Sequence, residues 1–173
     1  MFRSIFAVLI ASTIALVGCR ADSQLPVDPP TVEDREETST EAAAETIAVT
    51  IHMAEGASHV FTVETAITSE EQRRGLMFRD SLPQDGGMIF PFEFPRIASF
   101  WMRNTMIPLD MIFIRADGVI SNIARETEPY TLDSYVSSEP VIAVLEIDGG
   151  RATELGIDAG DRVSWPGGPA ATN

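Results

Sequence analysis

The chain has 173 residues, a formal net charge of −14 and a single cysteine, and all twelve of its basic residues are arginines. This length allows one domain beside the terminal segments, and a lone cysteine excludes an intramolecular disulfide. Because so acidic a chain repels phosphate backbones, we expect no nucleic-acid partner.

The N-terminus has the pattern of a bacterial lipoprotein signal peptide. Arg3 precedes an apolar run over residues 5–17, and the run ends in Leu-Val-Gly-Cys at residues 16–19. Its length is typical of a signal-peptide core and short for a membrane span. The tetrapeptide resembles the lipobox, in which the Cys thiol is acylated and the chain is cleaved just before it. We therefore predict a signal peptide over residues 1–18 and a membrane anchor through lipidated Cys19.

The segment after Cys19 predicts how the protein is attached and where it resides. Residues 20–46 carry eight acidic and two basic side chains and almost no large apolar residue, which is typical of a disordered, self-repelling tether. Arg20 stands where lipoproteins retained in the inner membrane have Asp. The sequence thus indicates an extracytoplasmic protein, and it favours the periplasmic face of the outer membrane in a cell that has one.

Residues 47–165 are predicted to form a single domain that is rich in β-strands. Alternating or near-continuous apolar runs predict strands at residues 47–53, 59–65, 88–90, 97–102, 111–115, 119–124, 141–147 and 161–165. Asp117-Gly118 predicts a hairpin turn between two of these strands. The last residues, 166–173, are predicted to form a flexible tail.

Helical signals are few and short. Thr68 and Glu71 have the spacing of a capping box, so a short helix is predicted to begin there and to end at Gly75. One further helical turn is predicted over residues 151–155. With no regular alternation of strands and helices, the fold class is mainly β with a minor α contribution, a compact β-barrel or sandwich.

The middle of the domain resembles the family known as domain of unknown function 192. The resemblance rests on GLMFR at residues 75–79, GMIF at 87–90, FWMRNT at 100–105, IPLDMIF at 107–113, LE at 145–146 and GIDAGD at 156–161. It covers nearly all of residues 60–165. It implies a small, mainly β domain that is often secreted, and it implies no established activity.

No familiar catalytic or metal-binding motif is present in the sequence. His52 and His59 are the only histidines, and both fall in the N-terminal hairpin, where exposed strand histidines are usual. Five methionines crowd residues 77–111, but they lie in apolar runs where Met ordinarily fills gaps in a core rather than binding Cu(I). We therefore expect no metal and no cofactor.

A corner between two predicted strands is the first candidate site. An aromatic face, a cation, an amide and a carboxylate fall within ten residues, at Trp101, Arg103, Asn104 and Asp110. Either Arg79 or Glu146 is expected at the wall of the same site. Function often resides in loops on a rigid scaffold. These side chains are suited to a small polar or saccharide ligand. They are equally suited to a turn that satisfies its own polar groups.

Glu146 is the second candidate, because it interrupts the apolar strand VIAVLEID. An unpaired buried charge is very costly, so Glu146 is expected to lie either at the exposed end of the strand or buried beside a cation, for which Arg79, Arg103 and Arg125 are the candidates. Two function classes follow. The favoured class is a non-catalytic envelope module for ligand binding or interaction, and the alternative is a hydrolase that acts on an envelope polymer through Asp110 and Glu146.

Overall fold

The computed structural model describes residues 45–170. The predicted signal peptide, the predicted lipidation site Cys19 and nearly all of the predicted tether lie outside the described residues, as do residues 171–173. No helix within residues 45–170 has the length and apolarity needed to cross a membrane.

The described part of the chain forms nine strands and two short helices. In chain order these are β1 Thr46–His52, β2 Ser58–Thr65, α1 Ser69–Arg74, β3 Met88–Arg96, β4 Ser99–Phe100, β5 Leu109–Ile114, β6 Ile120–Ala124, β7 Tyr135–Val136, β8 Val141–Asp148, α2 Arg151–Leu155 and β9 Arg162–Ser164. Seven strands form one mixed sheet in the order β6-β5-β8-β3-β2-β1-β9, and β4 pairs with β7 in a second, two-stranded sheet. The predicted fold class, mainly β with two short helices, is confirmed.

Of the two predicted architectures, the fold is sandwich-like, and its sheet is not a closed barrel. The edge strands β6 and β9 approach each other through an isolated bridge between Val119 and Arg162. Strands β2 and β3 are parallel neighbours, with Glu64 opposite Met88, and α1 lies in the connection between them. This crossover is not predictable from the sequence, because α1 has six residues, buries none of them and so lacks the apolar face that identifies a crossover helix.

Strands β3, β5 and β8 are covered on both faces. Ile89, Ile112 and Leu145 belong to one hydrophobic core, whereas Phe90 and Val144 belong to a second core on the opposite face. All six residues of β5 are buried. Burial on both faces explains why these strands are near-continuous apolar runs in the sequence.

The predicted buried strand over residues 97–102 is wrong. Only Ser99 and Phe100 form a strand, and they pair with β7 outside the main sheet. Ile97 and Trp101 are about half exposed, at 55% and 50%, whereas Met102 is fully buried. The segment therefore covers the second core with one side and presents Trp101 at the surface with the other.

The local signals that begin α1 are confirmed. The hydroxyl of Thr68 accepts a hydrogen bond from the Glu71 amide at 3.2 Å, and the Glu71 carboxylate accepts one from the Thr68 amide at 2.8 Å. The hydrogen bonds from the backbone amides of Thr68 and Ile67 lower the pKa of Glu71. The helix ends at Gly75, as predicted.

Candidate functional site

A cavity of about 530 Å³ lies between α1, the end of β3, the β4 segment and β8. Small-molecule sites commonly have volumes of about 300–1,000 Å³. We call this cavity the arginine groove and define it by its lining residues, which are Ser69, Gln72, Arg73, Arg74, Gly75, Leu76, Met77, Phe90, Arg96, Ser99, Phe100, Trp101, Arg103, Thr105 and Glu146.

Four arginines line the groove, and none of them forms an ion pair with a described residue. Arg73 and Arg74 end α1, Arg96 ends β3, and Arg103 lies in the loop after β4. Four of the other arginines of residues 45–170 form ion pairs, namely Arg79, Arg115, Arg125 and Arg151. The remaining one, Arg162, donates a hydrogen bond to a backbone carbonyl. The groove thus gathers four of the five arginines that form no ion pair among the described residues, and Arg162 is the fifth.

Aromatic rings hold two of these guanidinium groups in place. The Arg96 guanidinium lies 3.8 Å from the centroid of the Phe92 ring, and that of Arg103 lies 5.7 Å from the centroid of the Trp101 ring. Such contacts are attractive and restrict long side chains. A ligand that binds these two arginines therefore encounters cations that have already lost part of their conformational freedom.

Glu146 contributes the only carboxyl group among the described residues that line the groove. It lies in β8 between Met88 of β3 and Met111 of β5, and it is 5% exposed. Neither methionine can donate a hydrogen bond to it. Burial raises the pKa of Glu146 to about 8, so the group is mainly the neutral acid at pH 7 and can donate a hydrogen bond into the groove.

The ion pair expected for a buried Glu146 does not form. Arg79 instead makes a forked pair with Glu64, at 2.5 and 2.6 Å, and Arg125 pairs with Asp158 at 2.7 Å. Arg103 lines the groove without pairing with a described carboxylate. Protonation, rather than a cation, relieves the cost of burying this carboxyl group.

Asp110 does not share a site with Glu146. In the register of β5 and β8, Asp110 is opposite Ile147 and Met111 is opposite Glu146, so the two carboxyl groups are on opposite faces of the sheet. Asp110 is fully buried and accepts hydrogen bonds from the amides of Glu126, at 2.7 Å, and Ala152, at 2.8 Å. The hypothesis of a carboxylate pair in one cleft is therefore wrong.

Of the residues predicted from the sequence, the groove brings together Trp101, Arg103 and Glu146. Arg79 lines a different cavity, beside Glu64. Asn104 is adjacent to the groove but does not line it, and its backbone carbonyl accepts a hydrogen bond from the Phe78 amide. The single concave site predicted from Arg79, Trp101, Arg103, Asn104 and Asp110 is thus divided among three places.

Three of the four non-glycine residues with positive φ angles among residues 45–170 belong to the loop that bears Trp101 and Arg103 or to segments that are hydrogen-bonded to it. The φ angle is 65° at Phe78, 55° at Asn104 and 62° at Tyr130, and residues other than glycine seldom adopt such values. Hydrogen bonds tie the three segments together, from the Phe78 amide to the Asn104 carbonyl and from the Tyr130 amide to the Thr105 carbonyl. The loop that bears Trp101 and Arg103 is therefore held by its neighbours in one conformation.

The sequence analysis missed Arg73, Arg74 and Arg96. Arg73 and Arg74 belong to an exposed helix, and Arg96 ends a strand, so each resembles an ordinary surface residue on its own. Their grouping depends on the crossover through α1 and on the packing of β4, which no local pattern reveals.

The described residues contain no group of three or more His, Cys, Asp or Glu side chains that could hold a metal ion. The two nitrogens of the His52 ring lie 3.2 and 3.1 Å from the hydroxyls of Ser58 and Ser164. Met88, Met102 and Met111 are buried in the second core, the role predicted for them.

Comparisons with known proteins agree with the sequence resemblance. No curated protein matches the chain significantly. A crystal structure from Sinorhizobium meliloti, described provisionally as a transcription regulator, is 38% identical with a TM-score of 0.71, covering 73% of this chain and 98% of that one. A crystal structure from Novosphingobium aromaticivorans, described as a protein of unknown function, is 46% identical with a TM-score of 0.69, covering 73% and 89%. The model of domain of unknown function 192, described as "Uncharacterized ACR", matches residues 50–165, and the chain belongs to that family.

Proposed function

We propose that this protein is a lipid-anchored, extracytoplasmic binding module, and that a small polar or saccharide ligand enters the arginine groove. The observation that carries the proposal is a set of four arginines around one cavity that have no ion-pair partner in the described part of the chain. A concave, partly apolar surface with a few convergent polar or charged groups is typical of small-molecule sites.

Two further side chains support a ligand site at this position. Trp101 is half exposed and offers part of its ring to a ligand. Glu146 presents a buried acid group that has no ion-pair partner among residues 45–170. A strongly perturbed carboxyl group in a cleft is a common feature of functional sites.

The alternative, a hydrolase that uses Asp110 and Glu146, receives no support from the geometry. A glycosidase of this kind needs a pair of carboxyl groups, one on each side of the scissile bond. Among the described residues that line the groove, Glu146 is the only acidic one. Asp110 accepts hydrogen bonds from two backbone amides on the other face of the sheet. Binding without catalysis is therefore the function that we favour.

The provisional description of the Sinorhizobium meliloti protein raises DNA as another partner. Residues 47–173 of this chain carry 18 acidic side chains and nine arginines, which gives the domain a net charge of −9. A surface of that charge repels a duplex at long range, whereas a compact groove still attracts a small ligand. We therefore propose a small ligand, rather than DNA, for the arginine groove.

The ligand proposal is tested with the fluorescence of Trp101. The chain has two tryptophans, so a Trp165→Phe variant leaves Trp101 as its only indole. We expect a blue shift of its emission when a neutral or acidic mono- or disaccharide, or a soluble envelope fragment, excludes water from the half-exposed ring. Arg162→Gln, outside the groove, is the matched control for Arg103→Gln, which should weaken binding. A screen in which no compound alters Trp101 emission would contradict the proposal.

The anchor is tested at Cys19. Cys19→Ser removes the thiol that receives the lipid, so we expect uncleaved precursor in place of the acylated mature protein. Intact-mass measurement of the membrane fraction distinguishes the two forms. Wild-type protein that begins elsewhere or bears no acyl mass on Cys19 would show that the chain is not a lipoprotein.

A further inference from the structure

We propose that the ligand of the arginine groove carries two or more oxyanion groups, carboxylate or phosphate, which arginines from different elements bind while Glu146 donates a hydrogen bond from β8. This inference rests on the proposed binding function and specifies the chemistry of the ligand. Two observations carry it: the number and placement of guanidinium groups that form no ion pair with a described residue, and the buried acid that faces the same cavity.

The arginines provide more hydrogen-bond donors than one anionic group can use. A carboxylate accepts about four hydrogen bonds, whereas a single guanidinium already offers a fork of two parallel donors to it. Four guanidinium groups come from α1, the end of β3 and the loop after β4. Since these elements approach the cavity separately, one small anion cannot make forked contacts with all of them. A ligand with several anionic groups can.

Charge compensation leads to the same conclusion. The described residues provide no carboxylate partner for Arg73, Arg74, Arg96 or Arg103, although the domain has twice as many acidic residues as arginines. Four like charges around one cavity repel one another, and a multivalent anion relieves that repulsion better than a monovalent one. The groove is therefore complementary to a ligand of net charge −2 or more.

Glu146 adds a second kind of contact, which depends on pH. As the neutral acid it can donate a hydrogen bond to an oxyanion, and as a carboxylate it would repel that same oxyanion. Besides Glu146, the charged groups of the described residues that line the cavity are the four arginines. Neither a histidine nor a second acid lines it among the described residues. The ionisation of Glu146 thus controls the affinity near pH 8.

The test is calorimetric titration of the full-length chain in detergent micelles with four probes. Citrate and pyrophosphate carry several anionic groups, and acetate and inorganic phosphate are their counterparts with one group. We expect at least one multivalent probe to bind about tenfold more tightly than its counterpart, the gain from one additional charged contact. Whether citrate or pyrophosphate is preferred distinguishes a carboxylate ligand from a phosphate ligand.

Variants assign this binding to the groove. Arg74→Gln combined with Arg103→Gln should weaken it about a hundredfold, since each change removes a charge-assisted contact worth about a factor of ten. Arg162→Gln, a change of equal charge on β9, should leave it unaltered. For citrate, raising the pH from 7 to 9 should weaken binding to the wild type about tenfold by ionising Glu146. Glu146→Gln, which keeps an uncharged donor, should remove that pH dependence.

The outcomes separate this inference from the proposed function. Equal affinity for single-group and multivalent anions, or no binding of either multivalent probe, overturns the inference. Neutral saccharides that alter Trp101 emission under the same conditions would leave the binding function in place. An equal loss of affinity in the Arg162→Gln control would place the anion on the general surface and overturn the inference as well.

Discussion

Replacing Glu146 with Gln is expected to raise the free energy of unfolding by about 3–5 kcal/mol at pH 8 and by almost nothing at pH 4. Glu146 is buried between two methionines, and burial raises its pKa from the ordinary value of 4.5 to about 8. Each unit of such a shift corresponds to about 1.4 kcal/mol. Gln has nearly the same shape and carries no charge at any pH.

The direction of this effect follows from proton binding in the two states. Above pH 4.5 the unfolded chain releases the Glu146 proton, whereas the folded domain keeps it up to about pH 8. Because the folded state then binds more protons, the stability of the wild type falls as the pH rises from about 4.5 to about 8 and levels off above that range. Glu146→Gln removes this slope.

Other perturbed acids act outside this interval. The pKa values of Glu71 and Asp117 are lowered, by backbone amides and by Arg115 respectively, so the stability they provide is lost below their ordinary values of 4.5 and 3.8. Urea unfolding of wild type and Glu146→Gln at each pH unit from 4 to 9 therefore isolates Glu146. Glu93→Gln, which changes an exposed acid on β3, is the matched control and should shift stability by less than about 0.5 kcal/mol. A Glu146→Gln variant that is less stable than wild type at pH 8 would mean that the carboxylate has a stabilising partner.

A carboxyl group that is retained for function is expected to affect stability differently from one that is retained for the fold. A structural carboxyl group stabilises the fold that contains it, whereas Glu146 is expected to destabilise the domain at neutral pH. Proteins commonly retain such a group where activity requires it. The stability measurement thus examines, without any ligand, whether Glu146 belongs to a functional site.

Local rules predicted those parts of the fold that depend on a few consecutive residues. The capping box of Thr68 and Glu71 formed as expected, and the Asp117-Gly118 turn joins β5 and β6 as an antiparallel hairpin. Both follow from hydrogen bonds and backbone preferences within a single turn. The same rules failed at residues 97–102, where an apolar run indicated a buried strand although only one side of the segment contacts the core.

The candidate site was only partly predictable, because its members come from distant parts of the chain. Glu146 was predicted as a candidate because it is a carboxyl group in an apolar strand. Trp101 and Arg103 were predicted because an aromatic and a charged residue stand together at a corner. Which of them meet depends on the register of β8 against β3 and β5, and that register is a non-local property. A shift of one residue would have placed Glu146 on the face of Asp110.

The second large effect is expected at Asp110, where the sequence left a functional and a structural role open. The geometry favours the structural one. Helix α2 begins after Gly150, which has no side chain to cap it, and the carboxylate of Asp110 accepts the Ala152 amide in its place at 2.8 Å. Its other oxygen accepts the amide of Glu126, a residue held at a positive φ of 45°. Asp110 thus joins β5 to two separate segments.

Asp110→Asn keeps one acceptor and points an amide nitrogen at the other N–H, so we expect it to lower the free energy of unfolding by about 1–3 kcal/mol. Asp110→Ala leaves two amides of the folded state without their acceptor and should cost more, about 2–5 kcal/mol. Asp158→Asn, which breaks an exposed ion pair with Arg125, is the control and should cost less than about 1 kcal/mol.

Hydrogen exchange in Asp110→Asn adds a local measurement, since the amides of Glu126 and Ala152 should lose protection before the rest of the domain. Unchanged stability and protection in Asp110→Asn would restore Asp110 as a functional candidate and weaken the case for a single site in the arginine groove.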